Sequence, residues 1–590
     1  MSEIITQIET LINQGRFFEA HNLADTQLKS DPDNFRLKQL LALSMSKSGA
    51  SNDAKEFLEP IYNQNKKDPE TAGILGGIYK ELFKKTQDAK YAYLSRDIYH
   101  HNFEITGDYY TGINAATMSM IARESKKGRE IAAEVIKSLD KKENDFWELA
   151  TLGEAWLLCR DSSNAIEFYT RARKMAGQNW GKINSIYAQL WLLNHYITVP
   201  VEVLEVFNPP VFAAFAGHMI DKPGIMDSRF PADIEDKVKT AIAAEIARLN
   251  IQIGFCSLAC GSDILFAEAM QEAGAKINVC LPFDKDDFIE TSIGFAGDQW
   301  VKRFETLLEQ SDVKFTTKEK YFGDDVLFSL QGKVIFGSSV LQANLLHSKP
   351  FLITVLSEKD KTSRVGGTRD MVNQWPYMDK VININPDNFR SGSVEVINPE
   401  TSDIESKKKE KAINRQILYI LFADIVGFSQ IDEDKAPYFI HHVWGTLAER
   451  MKDLFIKPLV LNTFGSTLFS VFSSASRIME FASFLREVID GFDYQEAGLI
   501  ENIKIKIGLH AGPVYLGTDP LSKQMNSYGT HIARASSIQA HTLQGTIYAS
   551  EQFSAVLTLE SEKYDFEHVG VIDLGNDLGL QEIYKISNRK

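Results

Sequence analysis

The chain has 590 residues, with 64 Lys and Arg against 79 Asp and Glu and a formal net charge of −15. That excess of acid opposes broad binding to a nucleic-acid backbone, and 44% hydrophobic with 24% charged residues suits globular domains, about three to five at this length. No apolar run reaches the roughly 18 residues of a membrane span, and the acid-bearing N-terminus lacks the apolar core of a secretory leader. Four cysteines, Cys159, Cys256, Cys260 and Cys280, are too few for a disulfide scaffold and predict a reducing, cytoplasmic setting. Cys256 and Cys260 have no second cysteine pair nearby, so they read as small buried hydrophobes.

Residues 1–200 read as helix after helix. A spacing recurs, clearest at Leu152-Gly153-x2-Trp156-x8-Ala165-x3-Tyr169-x2-Ala172. Looser copies carry Ala20 and Ala24 before Pro32, Ala42 and Ala54 before Pro69, and Leu75-Gly76-x2-Tyr79. Small residues let two helices of a hairpin close on each other, aromatic residues fill the gaps, and proline marks the turns. The pattern resembles tetratricopeptide repeats. That resemblance implies an all-α solenoid whose concave face takes a protein partner or only spaces the other domains.

Residues 205–385 change character. Apolar runs at 211–216, 251–258, 277–281, 333–336 and 351–356 alternate with amphipathic stretches at 234–249 and 263–272, which predicts a parallel sheet flanked by helices. Ligands of such sheets bind at the carboxyl ends of the strands. Gly217-His218, Gly261-Ser262-Asp263 with Glu268 on the following helix, Leu281-Pro282, and Gly366-Gly367-Thr368-Arg369 fall at those ends. Glycines admit a ligand to the backbone, and Arg369 and a hydroxyl suit a phosphate. Asp263 and Glu268 suit ribose hydroxyls or acid–base work on a glycosidic bond. Each has a plainer reading: Asp263 and Thr368 as helix caps, His218 as a satisfied structural histidine. The segment resembles the SLOG superfamily, the Rossmann-like group of the LOG phosphoribohydrolases and DprA. The resemblance implies a nucleotide-derived ligand among these loops. The chain lacks the Pro-Gly-Gly-x-Gly-Thr-x-x-Glu string of the hydrolases, so sensing is expected over hydrolysis, with Glu268 as the catalytic candidate if there is one.

Residues 386–414 form a polar linker with the basic run Lys407-Lys408-Lys409-Glu410-Lys411, a solvated stretch. Then 417–422 predicts a strand that leads into Ala423-Asp424-Ile425-Val426-Gly427-Phe428-Ser429. Asn462-Thr463-Phe464-Gly465-Ser466, Ile507-Gly508-Leu509-His510-Ala511-Gly512 and Tyr528-Gly529-Thr530-His531-Ile532-Ala533 follow in order. Residues 415–590 thereby resemble the class III nucleotidyl cyclases, an α+β, ferredoxin-like fold. Carried over by that resemblance, the first metal aspartate is Asp424, and the second falls at Ser466. The base-reading pair falls at Asn462 and Asn526, the ribose asparagine at Ala533, and the transition-state arginine at Ser537. One principal position of six is kept. Each lost charge of this kind typically costs ~100-fold or more, so an impaired cyclase is expected, retained for dimerisation or for holding a nucleotide.

The expected protein is a nucleotide-linked signalling regulator. It has a nucleotide-type ligand, possible Mg2+ or Mn2+ with that nucleotide, a protein partner on the helical repeats, and a homodimer through the cyclase-like domain. Nucleic acid and membrane are not expected partners. The alternatives are an active enzyme, either a nucleotidyl cyclase or an N-glycosidic nucleotide hydrolase, and a pure interaction scaffold.

Overall fold

The computed structural model describes residues 2–139, 144–222, 228–323, 325–360, 367–390, 415–428, 431–453, 456–491, 494, 503–575 and 578–589. Gly366, Ser429 and the linker from 391 to 414 lie outside the described residues. The chain forms two compact units, one of residues 1–209 with 569–572, the other of 210–568 with 573–590.

The first unit is a run of helices from Ser2–Asn13 to Val201–Val206. The small residues of the repeat sit under aromatic rings. A Cβ on Gly153 would lie 2.6 Å from the Tyr169 ring, and one on Gly76 would lie 2.7 Å from the Tyr99 ring. Aspartates at 68, 88, 108, 145 and 161 cap the helices that follow them by accepting backbone N–H bonds, which fixes where each hairpin turns.

The second unit holds two sheets. The first has strands β1 (Val211–Gly217), β2 (Ile251–Cys256), β3 (Lys276–Leu281), β4 (Asp312–Phe315), β5 (Phe351–Val355) and β6 (Val381–Ile384). They run in the order β4-β3-β2-β1-β5-β6, every pair parallel. The strand expected at 333–336 is instead part of the helix Val326–Asn344. That helix is buried on nearly all sides, so its short apolar run carries no period to separate helix from strand. Strands β4 and β6 went unread because each has four residues and mixes polar with apolar.

The second sheet is built on β7 (Arg415–Val426), β8 (Val460–Phe464), β9 (Thr467–Phe472), β10 (Lys504–Thr518), β11 (Met525–Tyr528), β12 (Thr546–Ser550), β13 (Tyr564–Asp573) and β14 (Leu580–Asn588). Its order is β13-β14-β12-β10-β7-β9-β8, with β11 paired to β10. β7 and β10 pair antiparallel along twelve residues, from Arg415 opposite Tyr515 to Val426 opposite Lys504.

The two sheets share a seam. The helix Val326–Asn344 packs on β1, β2 and β3 and also on the helix Glu551–Glu560 beyond β12. At the crossing a Cβ on Gly337 would lie 2.0 Å from the carbonyl oxygen of Ala555. Beside it Glu551, buried, accepts from Lys314 of β4 at 2.8 Å and from the Ser338 hydroxyl at 3.3 Å. Among the described residues this helix is also the one long and apolar enough to cross a membrane, yet 72% of its apolar window is buried within the fold. Helix propensity alone favours Gly337→Ala by about 1 kcal/mol. Overpacking against backbone opposes it, typically by about 1–3 kcal/mol. Gly337→Ala is therefore expected to lower the thermal midpoint of the full chain in a calorimetric melt, and an equal or higher midpoint would contradict the packing described.

Candidate functional site

The parallel sheet reverses its winding at β1. From there the chain proceeds outward through β2, β3 and β4, then returns to β5 on the other side. The crevice beyond the carboxyl ends of β1 and β5 is where such a sheet takes a ligand. Gly217 ends β1, and a Cβ there would lie 2.0 Å from the Ser262 hydroxyl. Gly261 precedes the helix Ser262–Glu272 with φ +106°, and its missing side chain leaves room for the Ile220 N–H at 2.3 Å from the Cβ position. The two glycines let the β1 turn and the start of that helix lie against each other, and the Ser262 hydroxyl ties them by donating to the His218 carbonyl at 2.7 Å.

A cavity of about 700 Å³ opens at this crevice. Gly217, His218, Asp263, Gly367, Thr368 and Arg369 line it, so the structure brings these sequence-read positions together. His218 is buried and its Nε2 accepts the Ser357 N–H at 3.1 Å, so Nδ1 carries the proton. Burial, with Arg229 nearby, lowers its pKa to about 4, and it faces the cavity as a neutral ring. Asp263 stands in the first turn of its helix, where backbone N–H groups of Ala259 and Gly217 favour the anion. Burial outweighs them and raises its pKa to about 7. The Thr368 hydroxyl donates to the Gly217 carbonyl at 3.1 Å. Arg369 donates to the Ser357 carbonyl at 3.2 Å, while its Nε is buried with no hydrogen-bond partner among the described residues.

Glu268 is not in the cavity. Arg303 holds both its oxygens, at 2.7 and 2.8 Å, and Lys239 lies 3.3 Å away. These cations hold its carboxyl below the ordinary range against the effect of burial. The pairing of Asp263 with Glu268 read from the sequence fails because the two sit five residues apart on one helix, about 140° around its axis. Lys222, Arg229, Tyr321, Phe328 and Gln331 also line the cavity and were missed. Lys222 follows the β1 turn closely and was within reach of the sequence, whereas the other four come from segments with no motif. Cys256 and Cys260 are buried free thiols, and burial pushes both up, Cys260 to about 12.

In the second sheet Asp424 lies near the end of β7, opposite Thr467 of β9 and Lys506 of β10. Ser466 stands beside it in the β8–β9 turn and donates to its Oδ1 at 2.7 Å, with Thr467 donating at 3.3 Å. The position read as the second metal aspartate thus meets the first, holding a hydroxyl. No group of three or more His, Cys, Asp or Glu side chains able to hold a metal occurs among the described residues. One carboxylate and a hydroxyl donor do not fit a pair of divalent ions. Asn462 is on β8 and Asn526 on β11, while Ala533 and Ser537 are on the helix Thr530–His541. The Ser537 hydroxyl donates to the Leu574 carbonyl. Beneath this sheet His510 and His531 stack, 2.8 Å apart between Nε2 and Nδ1. Both are buried, and burial drives both pKa values down, that of His531 to about 3.

The helical unit has its own buried polar network on the first helices of successive hairpins. Lys80 donates to Asn114 and Gln189, and Gln189 and Thr117 donate to Glu154. Burial lowers the Lys80 pKa to about 8 and raises that of Glu154.

Residues 16–119 match the family model of the tetratricopeptide repeats-sensor, and residues 411–588 match that of the adenylate and guanylate cyclase catalytic domain. These two segments are thus similar to a tetratricopeptide-repeat sensor and to an adenylate and guanylate cyclase catalytic domain. Among solved structures, it is similar to the guanylate cyclase domain of RhGC from Catenaria anguillulae in complex with GTP, at 21% identity over 30% of this chain and 98% of that one, TM-score 0.26. A dimeric guanylyl cyclase domain of the RhoGC fusion protein from Blastocladiella emersonii is 22% identical over 30% and 99%, TM-score 0.26. The adenylyl cyclase CyaB from P. aeruginosa is 15% identical over 30% and 96%, TM-score 0.27. A comparison with curated proteins returns no match.

Asp263 makes the stability of the fold depend on pH. Its folded pKa of about 7 lies above the ordinary 3.8, so between those values the folded state keeps a proton that the unfolded chain has released. Stability then falls as pH rises from about 4 to about 7, by about 4 kcal/mol at most for a shift of this size. Asp263→Asn removes the titration. In melts from pH 5 to pH 8 the variant is expected to gain on the wild type as pH rises and to melt above it at pH 8; parallel profiles would show that Asp263 ionises freely.

Proposed function

We propose that the protein is a nucleotide-linked signalling regulator in which the parallel-sheet cavity, a SLOG-like pocket, holds a nucleotide-derived ligand. The cyclase catalytic domain supports the nucleotide-signalling part of this reading. The observation that carries the ligand site is the gathering of Asp263, Thr368 and Arg369 at the point where the sheet reverses. Arg369 and Lys222 supply positive charge for phosphate, Tyr321 and Phe328 supply flat apolar walls for a base, and Asp263 suits a ribose hydroxyl. A Mg2+ or Mn2+ ion, if present, would enter with the phosphates.

The cyclase domain, in this reading, holds or pairs without cyclising. Ser466 offers a hydroxyl where a second carboxylate is needed, and Ala533 and Ser537 supply no substitute for the ribose and transition-state groups. Its remaining task is to pair with a second copy of the chain or to hold a nucleotide, and the helical repeats engage a protein partner, in the cytoplasm. A second reading has one observation in its favour. Asp263, a carboxyl poised near neutral pH inside the cavity, has the acid–base character that N-glycosidic hydrolysis requires; Glu268, bound by Arg303 and Lys239, does not.

A thermal-shift panel of ATP, GTP, cyclic AMP, cyclic GMP, NAD+ and ADP-ribose with Mg2+ tests the regulator. At least one compound is expected to raise the wild-type midpoint by several degrees, and Arg369→Ala is expected to remove that shift while leaving the ligand-free midpoint within a degree or two. No shift across the panel would favour the scaffold. Release of free base from the bound compound, seen by chromatography and lost in Asp263→Asn, would favour the hydrolase.

A further inference from the structure

One loop of the second unit touches both the cavity and the cyclase domain. It follows β4 and lies along the end of β3. The Thr316 N–H donates to the Leu281 carbonyl at 2.9 Å and its hydroxyl to the Pro282 carbonyl at 2.6 Å. The Tyr321 N–H donates to the Asp287 carboxylate at 2.7 Å, and the Tyr321 ring stacks on Phe283 with centroids 4.8 Å apart. Tyr321 thereby forms part of the cavity wall.

Two residues earlier the same loop serves the other sheet. The Glu319 carboxylate accepts from Arg415 at 2.7 Å and from the Thr530 hydroxyl. Arg415 opens β7 and its side chain is 1% exposed. It also donates to the Lys320 carbonyl at 3.3 Å, and its guanidinium lies 5.2 Å from the Phe322 ring centre. Thr530 opens the helix that carries Ala533 and Ser537, and Arg534 on that helix is drawn electrostatically to Glu319. Loss of the Glu319 carboxylate would take from the buried Arg415 guanidinium the anion that balances it, and buried charges are costly to leave less well balanced. The loop therefore supplies Tyr321, held by Asp287 and Phe283, to the cavity wall and holds the second sheet at Glu319.

A stiff reference lies beside it. The helix Val326–Asn344 lines the cavity through Phe328, Gln331 and Ile335 and meets the Glu551–Glu560 helix at Gly337 with no spare space. The loop meets that beam through Tyr321, whose hydroxyl donates to Asp325 at 3.3 Å and whose ring lies edge-on to Phe328.

We infer that residues 316–322 couple the cavity to the start of the helix Thr530–His541, so that the state of the cavity wall sets how tightly the 525–534 segment of the cyclase domain is held. Only the purpose of this link, reporting a bound ligand, rests on reading the cavity as a ligand site; the link itself can be tested with no ligand present.

Hydrogen–deuterium exchange of the full chain provides the test. Wild type, Tyr321→Leu and Glu319→Gln would be compared without added nucleotide. Both variants are expected to speed amide exchange across 525–534 by about tenfold, with the core helix Ala475–Asp490 unchanged. If Glu319→Gln speeds 525–534 and Tyr321→Leu leaves it at the wild-type rate, the cavity wall is not coupled and the inference fails. It fails equally if neither variant changes that segment. Should Tyr321→Leu speed exchange everywhere, Asp287→Asn, which weakens the hold on the Tyr321 N–H and leaves the ring in place, repeats the test with the same two outcomes. The wild-type thermal-shift panel is independent of these rates, so a failed ligand site and a failed link give different results.

Discussion

A single helix that is apolar on nearly every side governs the second unit. Val326–Asn344 cannot face water along any stripe, so it must be covered all round, and neither sheet covers it alone. The parallel sheet takes one side and the cyclase domain's Glu551–Glu560 helix the other. Gly337 sets the distance between them. Beside the crossing, half-buried Lys314 of β4 pairs with buried Glu551 and ties the two sheets together there. The consequence is that both sheets belong to one compact unit, residues 210–568 with 573–590.

Two aspartates show how surroundings divide roles between these halves. Asp263 lies at a helix start, a place that usually favours the anion, yet burial prevails and raises its pKa to about 7. Asp424 is supplied with hydroxyl donors by Ser466 and Thr467. Both donate to the same oxygen, Oδ1, and neither brings a negative charge of its own. The strand register sets Asp424 opposite Thr467, which brings Ser466 of the adjoining turn within hydrogen-bond reach of its carboxylate.

The parts most legible in the sequence were those in which one residue type meets a steric demand. Gly76 and Gly153 were readable because an aromatic ring needs that space one helix later. Gly217 was readable because it closes an apolar run just before His218, and Gly261 because it precedes Ser262 and Asp263 at the start of a helix. The reading failed where the sequence pattern carried no direction. Glu268 is near Asp263 along the chain, and only the helical turn between them shows that it points to Arg303. The run at 333–336 is buried on all sides, so its composition could not separate helix from strand. Glu319, Tyr321 and Arg415 belong to no motif, and 96 residues separate Glu319 from the arginine it binds; the fold alone brings them together.

The central claim is that the chain reads nucleotides without making cyclic ones. The most direct measurement is chromatography of ATP and GTP incubated with the purified full chain and Mn2+ at protein concentrations high enough to favour pairing. The account predicts no cyclic AMP or cyclic GMP above the level given by an Asp424→Ala variant. Cyclic product that accumulates with wild type and disappears with Asp424→Ala would contradict it.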